Sequence, residues 1–298
     1  MKTSWKSSKE RSNTFTLRLI CWIALNTSRW FARFWLYPIT LYFFTTSPSV
    51  RVASKNYLKR VKLKPSSFGV AKHIFYFSTT ILDRVFFLTD RFHKFDIRVF
   101  NRELISDSLK NKRGCILLGT HLGSFEVLRS LLIKRGEFPL KILMNYDHNA
   151  KITRVLDTLN PKVADTVINL EDENVIFKIA ESIEQGKIVA MLGDRLVDSA
   201  SANSSCKLLG DEAKFSNGPV KLALALEVPI IMFFGIYKGG NKYEIHFEEL
   251  MQSKSVKRSD RDIVVEETII EFARIFEKYI QMAPLNWFNF YDFWNDEK

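Results

Sequence analysis

The sequence predicts an α/β fold with a mostly parallel central sheet flanked by helices, and a separate helical segment at the N-terminus. Two observations support this prediction. Short apolar runs alternate along residues 73–298 with stretches whose apolar residues recur at helical spacing, a succession typical of parallel α/β layers. The excess of basic residues, in contrast, lies within residues 1–72, which marks that part of the chain as a segment of a different kind.

The predicted strands are apolar runs of five to eight residues bounded by polar, glycine or proline residues. They are Phe95–Phe100, Cys115–Gly119, Leu140–Met144, Lys187–Leu192, Pro229–Ile236 and Tyr243–Phe247. The predicted helices are Phe68–Leu88, Phe125–Lys134, Ile152–Leu159, Val175–Glu184 and Pro219–Glu227. Pro161 and Gly186 end two of these helices, and Pro219 favours the first turn of the last. Asp198–Lys207, rich in serine and alanine, is predicted to be a flexible loop.

The charge divides the chain into two parts. Of 44 Lys and Arg and 33 Asp and Glu, residues 1–72 hold 14 bases and one acid, a balance of +13, which leaves 30 bases and 32 acids, a balance of −2, for residues 73–298. We therefore expect a basic, aromatic, membrane-anchoring helical segment at 1–72 and an α/β domain at 73–298. A nearly neutral body disfavours nucleic acid as a partner. The three cysteines are far apart, which favours a reducing compartment and disfavours disulfides and cysteine-ligated zinc.

The N-terminal segment has the pattern of a helix at a membrane surface. Leu17–Thr46 is long enough to cross a bilayer, but Arg18, Arg29 and Arg33 interrupt it and share one helical face. A second basic stripe follows, made of Arg51, Lys55, Lys59 and Lys62. Long basic side chains beside an apolar face suit anionic lipid head groups. Two alternatives stay open, a buried helix pair of a soluble domain and a single transmembrane span.

Polar side chains follow two of the predicted strands, where a parallel sheet presents its site. His121 follows Cys115–Gly119, and Asp194 and Arg195 follow Lys187–Leu192. His121 and Glu126 would diverge on one continuous helix, so they meet only if His121 lies on the turn before the helix. Glu126 would then orient the imidazole as a general base, while the helix N-terminus offers amides to an oxyanion. The alternatives are a structural histidine, and an Asp194–Arg195 ion pair at a strand end.

Other chemistries lack their motifs. The sequence contains no Gly-x-Ser-x-Gly elbow, although Ser124 lies near His121, which disfavours a serine hydrolase. It contains no phosphate-binding loop, no Gly-x-Gly-x-x-Gly fingerprint and no His-Glu-x-x-His zinc motif. Binding of a nucleotide, of a dinucleotide or of zinc through that motif therefore lacks support in the sequence.

Several segments resemble one family across nearly the whole chain. They are ILDRVFFL at Ile81–Leu88, LLGTHLGSFEVLR at Leu117–Arg129, MLGDR at Met191–Arg195, FSNGPVKLALALEVPI at Phe215–Ile230 and NWFNFYDFW at Asn286–Trp294. They are similar to the bacterial late lipid A (lauroyl/myristoyl) acyltransferases of the lysophospholipid acyltransferase superfamily, particularly the branch found with aryl polyene and related lipid clusters. The second segment is the most specific, since it carries that family's His-x4-acid motif.

The resemblance implies transfer of a fatty acyl chain from acyl carrier protein or acyl-CoA to a hydroxyl of a membrane lipid or glycolipid. The expected location is the cytoplasmic face of the bacterial inner membrane. The resemblance also implies that His121 is the general base, that Glu126 is its orienting partner, and that no metal or bound cofactor is needed. Substrate-binding or oxyanion roles are expected for a further set, Gly123, Ser124, Asp194, Arg195, Arg154, Asn217 and Gly218. Arg154 is included in this set only because of its position between the His121 motif and the second polar strand end. Ser216 stands where a proline is common in the family.

The sequence leaves two rival functions open. One is a catalytically inactive, membrane-docked lipid-binding or scaffold protein of the same fold. The other is a glycerophospholipid acyltransferase, although the Phe-Pro-Glu-Gly-Thr-Arg-like block usual in that group is missing. The C-terminal aromatic residues either line an acyl channel, enter the membrane or pack in the core.

Overall fold

The N-terminal part of the chain is helical. The computed structural model describes residues 14–110, 113–129, 139–144, 165–196 and 202–294, with side chains from Ile20 onward. The first five helices are α1 (Thr14–Asn26), α2 (Arg29–Phe34), α3 (Leu36–Thr46), α4 (Pro48–Arg60) and α5 (Ser67–Leu88). Ser28 and Ser66 cap α2 and α5 by accepting from the amides of Phe31 and Gly69, as serine does at helix starts.

The body is built on a seven-stranded sheet. Its strands are β1 (Asp96–Phe100), β2 (Ile116–Gly119), β3 (Leu140–Met144), β4 (Val167–Asn169), β5 (Ile188–Leu192), β8 (Ile230–Gly239) and β9 (Lys242–Met251). The order is β1-β9-β8-β2-β5-β3-β4, and every neighbouring pair is parallel except β8–β9. A separate antiparallel hairpin joins β6 (Asn203–Leu208) to β7 (Asp211–Ser216).

Helices cover the sheet because both of its faces are apolar. Alternate residues of β8 enter different cores, Ile230 and Met232 on one face and Ile231 and Phe233 on the other. The remaining helices are α6 (Glu103–Ser108), α7 (helical residues 125–129), α8 (Val175–Glu184), α9 (Gly218–Leu226) and α10 (Arg261–Met282). The prediction of a mostly parallel sheet flanked by helices is confirmed.

One prediction along the body needs correction, and two predicted helices lie wholly or partly outside the described residues. The predicted loop Asp198–Lys207 includes most of β6, whose polar residues pair across the hairpin, so it is not a loop beyond Ala202. The predicted helix Ile152–Leu159 and residues 130–134 of Phe125–Lys134 lie outside the described residues. The proposed domain boundary at residue 72 falls inside α5, which runs without a break from Ser67.

The N-terminal helices pack against α5. Arg29 of α2 donates two hydrogen bonds of 2.7 Å to the fully buried carboxylate of Asp83, which also accepts from Tyr243. Arg33 donates to the carbonyl of Gly240. Both arginines were expected to face lipid head groups, and they bind the body instead. For Arg29 the reason is that the buried carboxylate of Asp83 requires a partner. Among the described residues, no helix is both long and apolar enough to cross a bilayer.

Candidate active site

His121 and Asp194 come together because their strands are neighbours. Strands β2 and β5 are parallel, and Gly119 lies opposite Leu192 at their carboxyl ends. The chain continues from these positions to His121 and Asp194. The imidazole Nδ1 of His121 lies 2.8 Å from Oδ1 of Asp194, and the His121 amide donates to Oδ2 at 3.0 Å.

Asp194 is a buried, ionised carboxylate. It accepts a third hydrogen bond, 3.1 Å long, from the indole Nε1 of Trp287. Burial by itself raises the pKa of the Asp194 carboxyl, but the charge and hydrogen bonds of His121 and the charge of Arg195 outweigh burial and lower that pKa to about 2. An ionised carboxylate only accepts, so Nδ1 of His121 must carry a proton.

The other imidazole nitrogen of His121 is available. Within the described part of the chain Nε2 has no hydrogen-bond partner, and the side chain keeps 30 % of its surface exposed. Burial and then the charge of Arg195 lower the pKa of His121 below its usual 6.5, although Asp194 opposes both. The imidazole is therefore neutral near pH 7, with a free lone pair on Nε2 that can accept a proton.

The turn after His121 is fixed by its own backbone. Gly123 has φ +81°, and a Cβ there would lie 2.1 Å from the carbonyl oxygen of Gly235, so only glycine fits. The Gly123 amide donates to the carbonyl of Asn286, and the Ser124 amide donates to that of Gly235. Both residues were expected to have substrate-binding or oxyanion roles. The structure uses their two backbone amides to hold the turn in place, so these amides are not available as oxyanion donors.

A second histidine supports the site from behind. The carbonyl of Trp287 lies 2.9 Å from Nε2 of His73, so Nε2 donates, and Nδ1 accepts from the hydroxyl of Ser54. Burial lowers the pKa of His73 to about 4, which keeps it neutral. Trp287 thus receives one hydrogen bond from His73 and gives one to Asp194. The sequence analysis missed this chain of contacts, which joins residues more than 200 positions apart in sequence.

One model of a known protein family matches most of the chain. The model of the family described as "Bacterial lipid A biosynthesis acyltransferase" matches residues 70–296. The chain belongs to that family. A comparison with curated protein sequences found no match. Family membership supports an enzyme of the acyltransferase kind that acts in lipid biosynthesis.

Glu126, the acid of the His-x4-acid motif, does not bind His121 in this member of the lipid A acyltransferase family. The carboxylate that holds Nδ1 belongs to Asp194, so the expected His121–Glu126 contact is corrected. Glu126 lies two residues into α7, and its buried Oε1 is 3.6 Å from Nη1 of Arg129 without a hydrogen bond. The charge of Glu126 also acts on Arg84 of α5. Glu126 therefore belongs to a group of charged side chains beside the His121–Asp194 pair.

The other residues expected from the acyltransferase resemblance are placed as follows. Arg195 stacks its guanidinium 5.2 Å from the ring centre of Tyr291 and acts on the pKa of His121. Asn217 precedes α9 and Gly218 begins it, and no hydrogen bond joins either residue to His121 in the described ranges. Arg154 lies outside the described residues.

The C-terminal aromatic residues pack in the core, which is one of the three alternatives that the sequence left open. Trp287, Tyr291, Phe293 and Trp294 are buried, and the ring of Trp287 makes edge contacts with Tyr57, Phe276, Phe293 and Trp294. They position the site through Trp287.

Several large apolar side chains of the N-terminal helices are exposed in this acyltransferase. Trp30 is 78 % and Tyr37 is 64 % exposed. The full set on α1–α3 is Trp22, Trp30, Phe31, Phe34, Tyr37, Leu41 and Tyr42, which we call the aromatic surface. Lys55, Lys59 and Lys62, from α4 and the turn after it, are also exposed. Exposed apolar surfaces of this kind mark sites of interaction with membranes or proteins.

Proposed function

We propose that the protein transfers a fatty acyl chain from a thioester donor to a hydroxyl of a membrane lipid or glycolipid, with His121 as the general base. The observation that supports this most directly is the 2.8 Å contact between His121 and Asp194, which leaves Nε2 free and partly exposed. The arrangement matches the requirements of a base whose tautomer is held by a carboxylate.

In the proposed reaction, His121 carries one proton from the acceptor hydroxyl to the leaving thiolate. Nε2 of His121 takes the proton of the acceptor hydroxyl while that oxygen forms a bond to the thioester carbonyl carbon. The carbonyl becomes an oxyanion, for which Arg195 is the nearby cation. The C–S bond then breaks, the leaving thiolate takes the proton from Nε2, and the products are an ester and a free thiol. Asp194 stays ionised and stabilises the imidazolium.

We propose a different role for Glu126 from the one its spacing predicted. Its buried Oε1 accepts no hydrogen bond from the described protein groups, so it is available to the acceptor lipid. A carboxylate in this position can accept from an acceptor hydroxyl and orient the lipid beside His121.

We further propose that the donor is acyl carrier protein or acyl-CoA and that the protein works at the cytoplasmic face of the bacterial inner membrane. The aromatic surface supports docking by partial insertion, since exposed rings of tryptophan and tyrosine favour the bilayer interface. The exposed lysines at residues 55, 59 and 62 suit anionic head groups.

Membrane docking is tested by flotation with vesicles that contain anionic phospholipid. The double variant Trp30→Ser with Tyr37→Ser should bind at least tenfold more weakly, because two large apolar side chains no longer enter the interface. Ile263→Ser is the matched control, since Ile263 is exposed on α10 outside the aromatic surface. Equal binding by the double variant and the control would contradict this part of the proposal.

The activity is tested with purified protein, a radiolabelled acyl thioester and bacterial membrane lipids. We expect label to move into a lipid ester with the wild-type protein and not with His121→Ala. His93→Ala is the control, since His93 is exposed and outside the site. Binding to vesicles without any thioester consumption, with every lipid fraction tried, would instead indicate the inactive scaffold function.

A further inference from the structure

The hairpin that joins β8 to β9 extends beyond the turn that carries His121, which we call the catalytic turn. A parallel bridge pairs Gly123 of the catalytic turn with Gly235 of β8, so these two glycines lie at the same level of the sheet. From Gly235, β8 continues to Gly239 before the chain turns back into β9. At about 3.3 Å per residue, residues 238–242, which we call the hairpin tip, lie up to about 13 Å beyond the catalytic turn.

Helix α5 gives a second measure of this distance. His73 bonds the carbonyl of Trp287, which is bridged to Leu122 of the catalytic turn. Further along the same helix, Asp83 accepts from the hydroxyl of Tyr243, the residue that follows the hairpin tip. The stretch of helix from His73 to Asp83 spans about 15 Å, which agrees with the distance measured along β8.

The hairpin tip contacts the N-terminal helices. Arg33 of α2 donates a hydrogen bond of 2.8 Å to the carbonyl of Gly240. The guanidinium of Arg33 lies 5.9 Å from the ring centre of Phe75, and the ring centre of Tyr37 lies 5.0 Å from that of Phe75. The rings of Tyr37 and Phe34 are 6.4 Å apart. Since Phe34 and Tyr37 belong to the aromatic surface, these distances place the hairpin tip beside it.

The hairpin tip projects into open space. Among the described residues, no atom lies within 4 Å of the position that a Cβ would take on Gly239 or on Gly240. The side chains of Lys238 and Lys242 are exposed. Lys238 lies 3.2 Å from the carboxylate of Glu244, whereas Lys242 has no ion pair within 4.0 Å in the described part of the chain.

The charge around the hairpin tip favours an anionic partner. The charged residues of the tip and of the segments that pair with it or bond to it are Lys238, Lys242, Arg33, Lys94, Asp96 and Glu244. Four bases and two acids give this group a net charge of +2. Lysines next to exposed aromatic rings suit the surface of an anionic bilayer, because the rings enter the boundary of the acyl chains while the ammonium groups stay among the head groups.

We propose that the hairpin tip is a lipid-contact site, which docks on an anionic phospholipid bilayer together with the aromatic surface. The carboxyl-end edge of the sheet, where His121 lies, then faces the membrane, and the acceptor lipid reaches His121 from that side. This inference rests on the proposed membrane docking. It adds a contact site in the α/β body and an orientation of the catalytic turn relative to the bilayer.

The first test measures lipid contact at single positions of the full-length protein and does not depend on activity. Asn241→Cys, at the hairpin tip, is labelled with an environment-sensitive fluorophore and mixed with vesicles that contain anionic phospholipid. Lys254→Cys is the matched control, because Lys254 is exposed in the loop after the far end of β9, about 30 Å from the tip. Cys21 and Cys206, which are partly exposed, are replaced by serine in both proteins.

Vesicles should shift the emission of the label at residue 241 to shorter wavelength and leave the emission of the label at residue 254 unchanged. Equal shifts at the two positions would overturn the inference. So would an unchanged emission at residue 241 when the labelled protein is bound to vesicles.

The second test measures the contribution of the two lysines to vesicle binding by flotation. The double variant Lys238→Gln with Lys242→Gln should bind anionic vesicles about 10- to 30-fold more weakly, since each basic residue near an anionic surface contributes about fivefold in affinity. Lys254→Gln with Lys257→Gln is the matched control, because it removes the same charge from exposed positions beyond the far end of β9. Equal binding by the two double variants would overturn the inference.

The outcomes separate this inference from the proposed function. If Trp30→Ser with Tyr37→Ser weakens vesicle binding while the label at residue 241 and the variant at residues 238 and 242 show no effect, docking by the aromatic surface stands and the inference about the hairpin tip fails. If the wild-type protein does not bind anionic vesicles, both docking proposals fail. Acyl transfer is still decided by the assay with a radiolabelled thioester.

Discussion

Asp194→Asn should nearly abolish acyl transfer and leave the fold in place. The carboxylate accepts through Oδ2 from the His121 amide and from Trp287, and through Oδ1 from Nδ1 of His121. An asparagine keeps the most bonds by placing its oxygen at the Oδ2 position and its amide nitrogen at the Oδ1 position. That nitrogen donates, so Nδ1 must become the acceptor and the proton moves to Nε2. His121 then cannot take a proton from the acceptor.

The expected loss follows from the wrong tautomer. The same substitution in serine proteases lowers kcat by about 10⁴-fold with the geometry retained. We expect a fall of about 10³–10⁴ in the rate constant for transfer, or about 4–5.5 kcal/mol in the barrier. The variant keeps these three contacts without the charge of the carboxylate, so its free energy of unfolding should fall by only about 1–3 kcal/mol.

The assay is single-turnover acyl transfer at saturating donor, with thermal unfolding measured in parallel. Asp172→Asn is the matched control, because Asp172 pairs with Lys178 at the surface. The wild-type rate should rise with pH through an inflection below 6.5, since burial and Arg195 lower the pKa of His121. Transfer by Asp194→Asn within tenfold of wild type would refute the assignment of Asp194 as the residue that orients the base.

Three further predictions concern residues that support the site or the fold. Gly123→Ala should lower stability by about 1–3 kcal/mol and lower the rate of transfer, because its Cβ would clash with the carbonyl of Gly235 at a positive φ. Arg29→Met should cost about 3–5 kcal/mol in unfolding by urea, because the carboxylate of Asp83 is left buried without its partner. The pKa of His73 is about 4 in the fold against 6.5 in the unfolded chain, so the unfolded state binds more protons between these values. Stability should therefore be complete above pH 6.5 and fall by about 3 kcal/mol as pH drops to 4.

Each of these has its own control. Gly210→Ala also places alanine at a positive φ but meets nothing within 4 Å, so its smaller effect isolates the clash. Adding Asp83→Asn to Arg29→Met should recover part of the lost stability, and strict additivity of the two changes would argue against the pair. His73→Gln should lose less stability than wild type between pH 7 and 4, and an identical pH dependence would exclude His73 as the group that titrates.

The sequence was informative where burial and periodicity decide the structure. Val175–Glu184 was predicted with its observed bounds, and β2 and β5 within one residue, because uninterrupted apolar runs fit a sheet covered on both faces. β6 was missed because its Asn and Ser residues pair across a hairpin instead of filling a core. No helix was predicted for α10, although Val265, Ile269, Phe272 and Phe276 recur at helical spacing.

Sequence reasoning selected the residues of the site but not the hydrogen bond that joins them. Local spacing favoured Glu126 as the partner of His121, whereas the bond that forms reaches Asp194, 73 residues away. That contact depends on β2 and β5 being neighbours, and strand order is a tertiary property that composition and spacing do not determine. The sequence did contain a sign that Arg29 binds the body and not lipid head groups. Asp83 lies in the apolar face of a predicted helix, and a buried carboxylate there needs a cation as its partner.

The central claim is that His121, oriented by Asp194, transfers acyl chains to a membrane lipid. Its most direct test is mass spectrometry of the membrane lipids of bacterial cells that express the wild-type protein, His121→Ala or Asp194→Asn at equal levels. We predict a lipid species heavier by one fatty acyl group with the wild-type protein, and its absence or near absence with both variants. The same acylated species at undiminished abundance in cells that express His121→Ala would contradict the account.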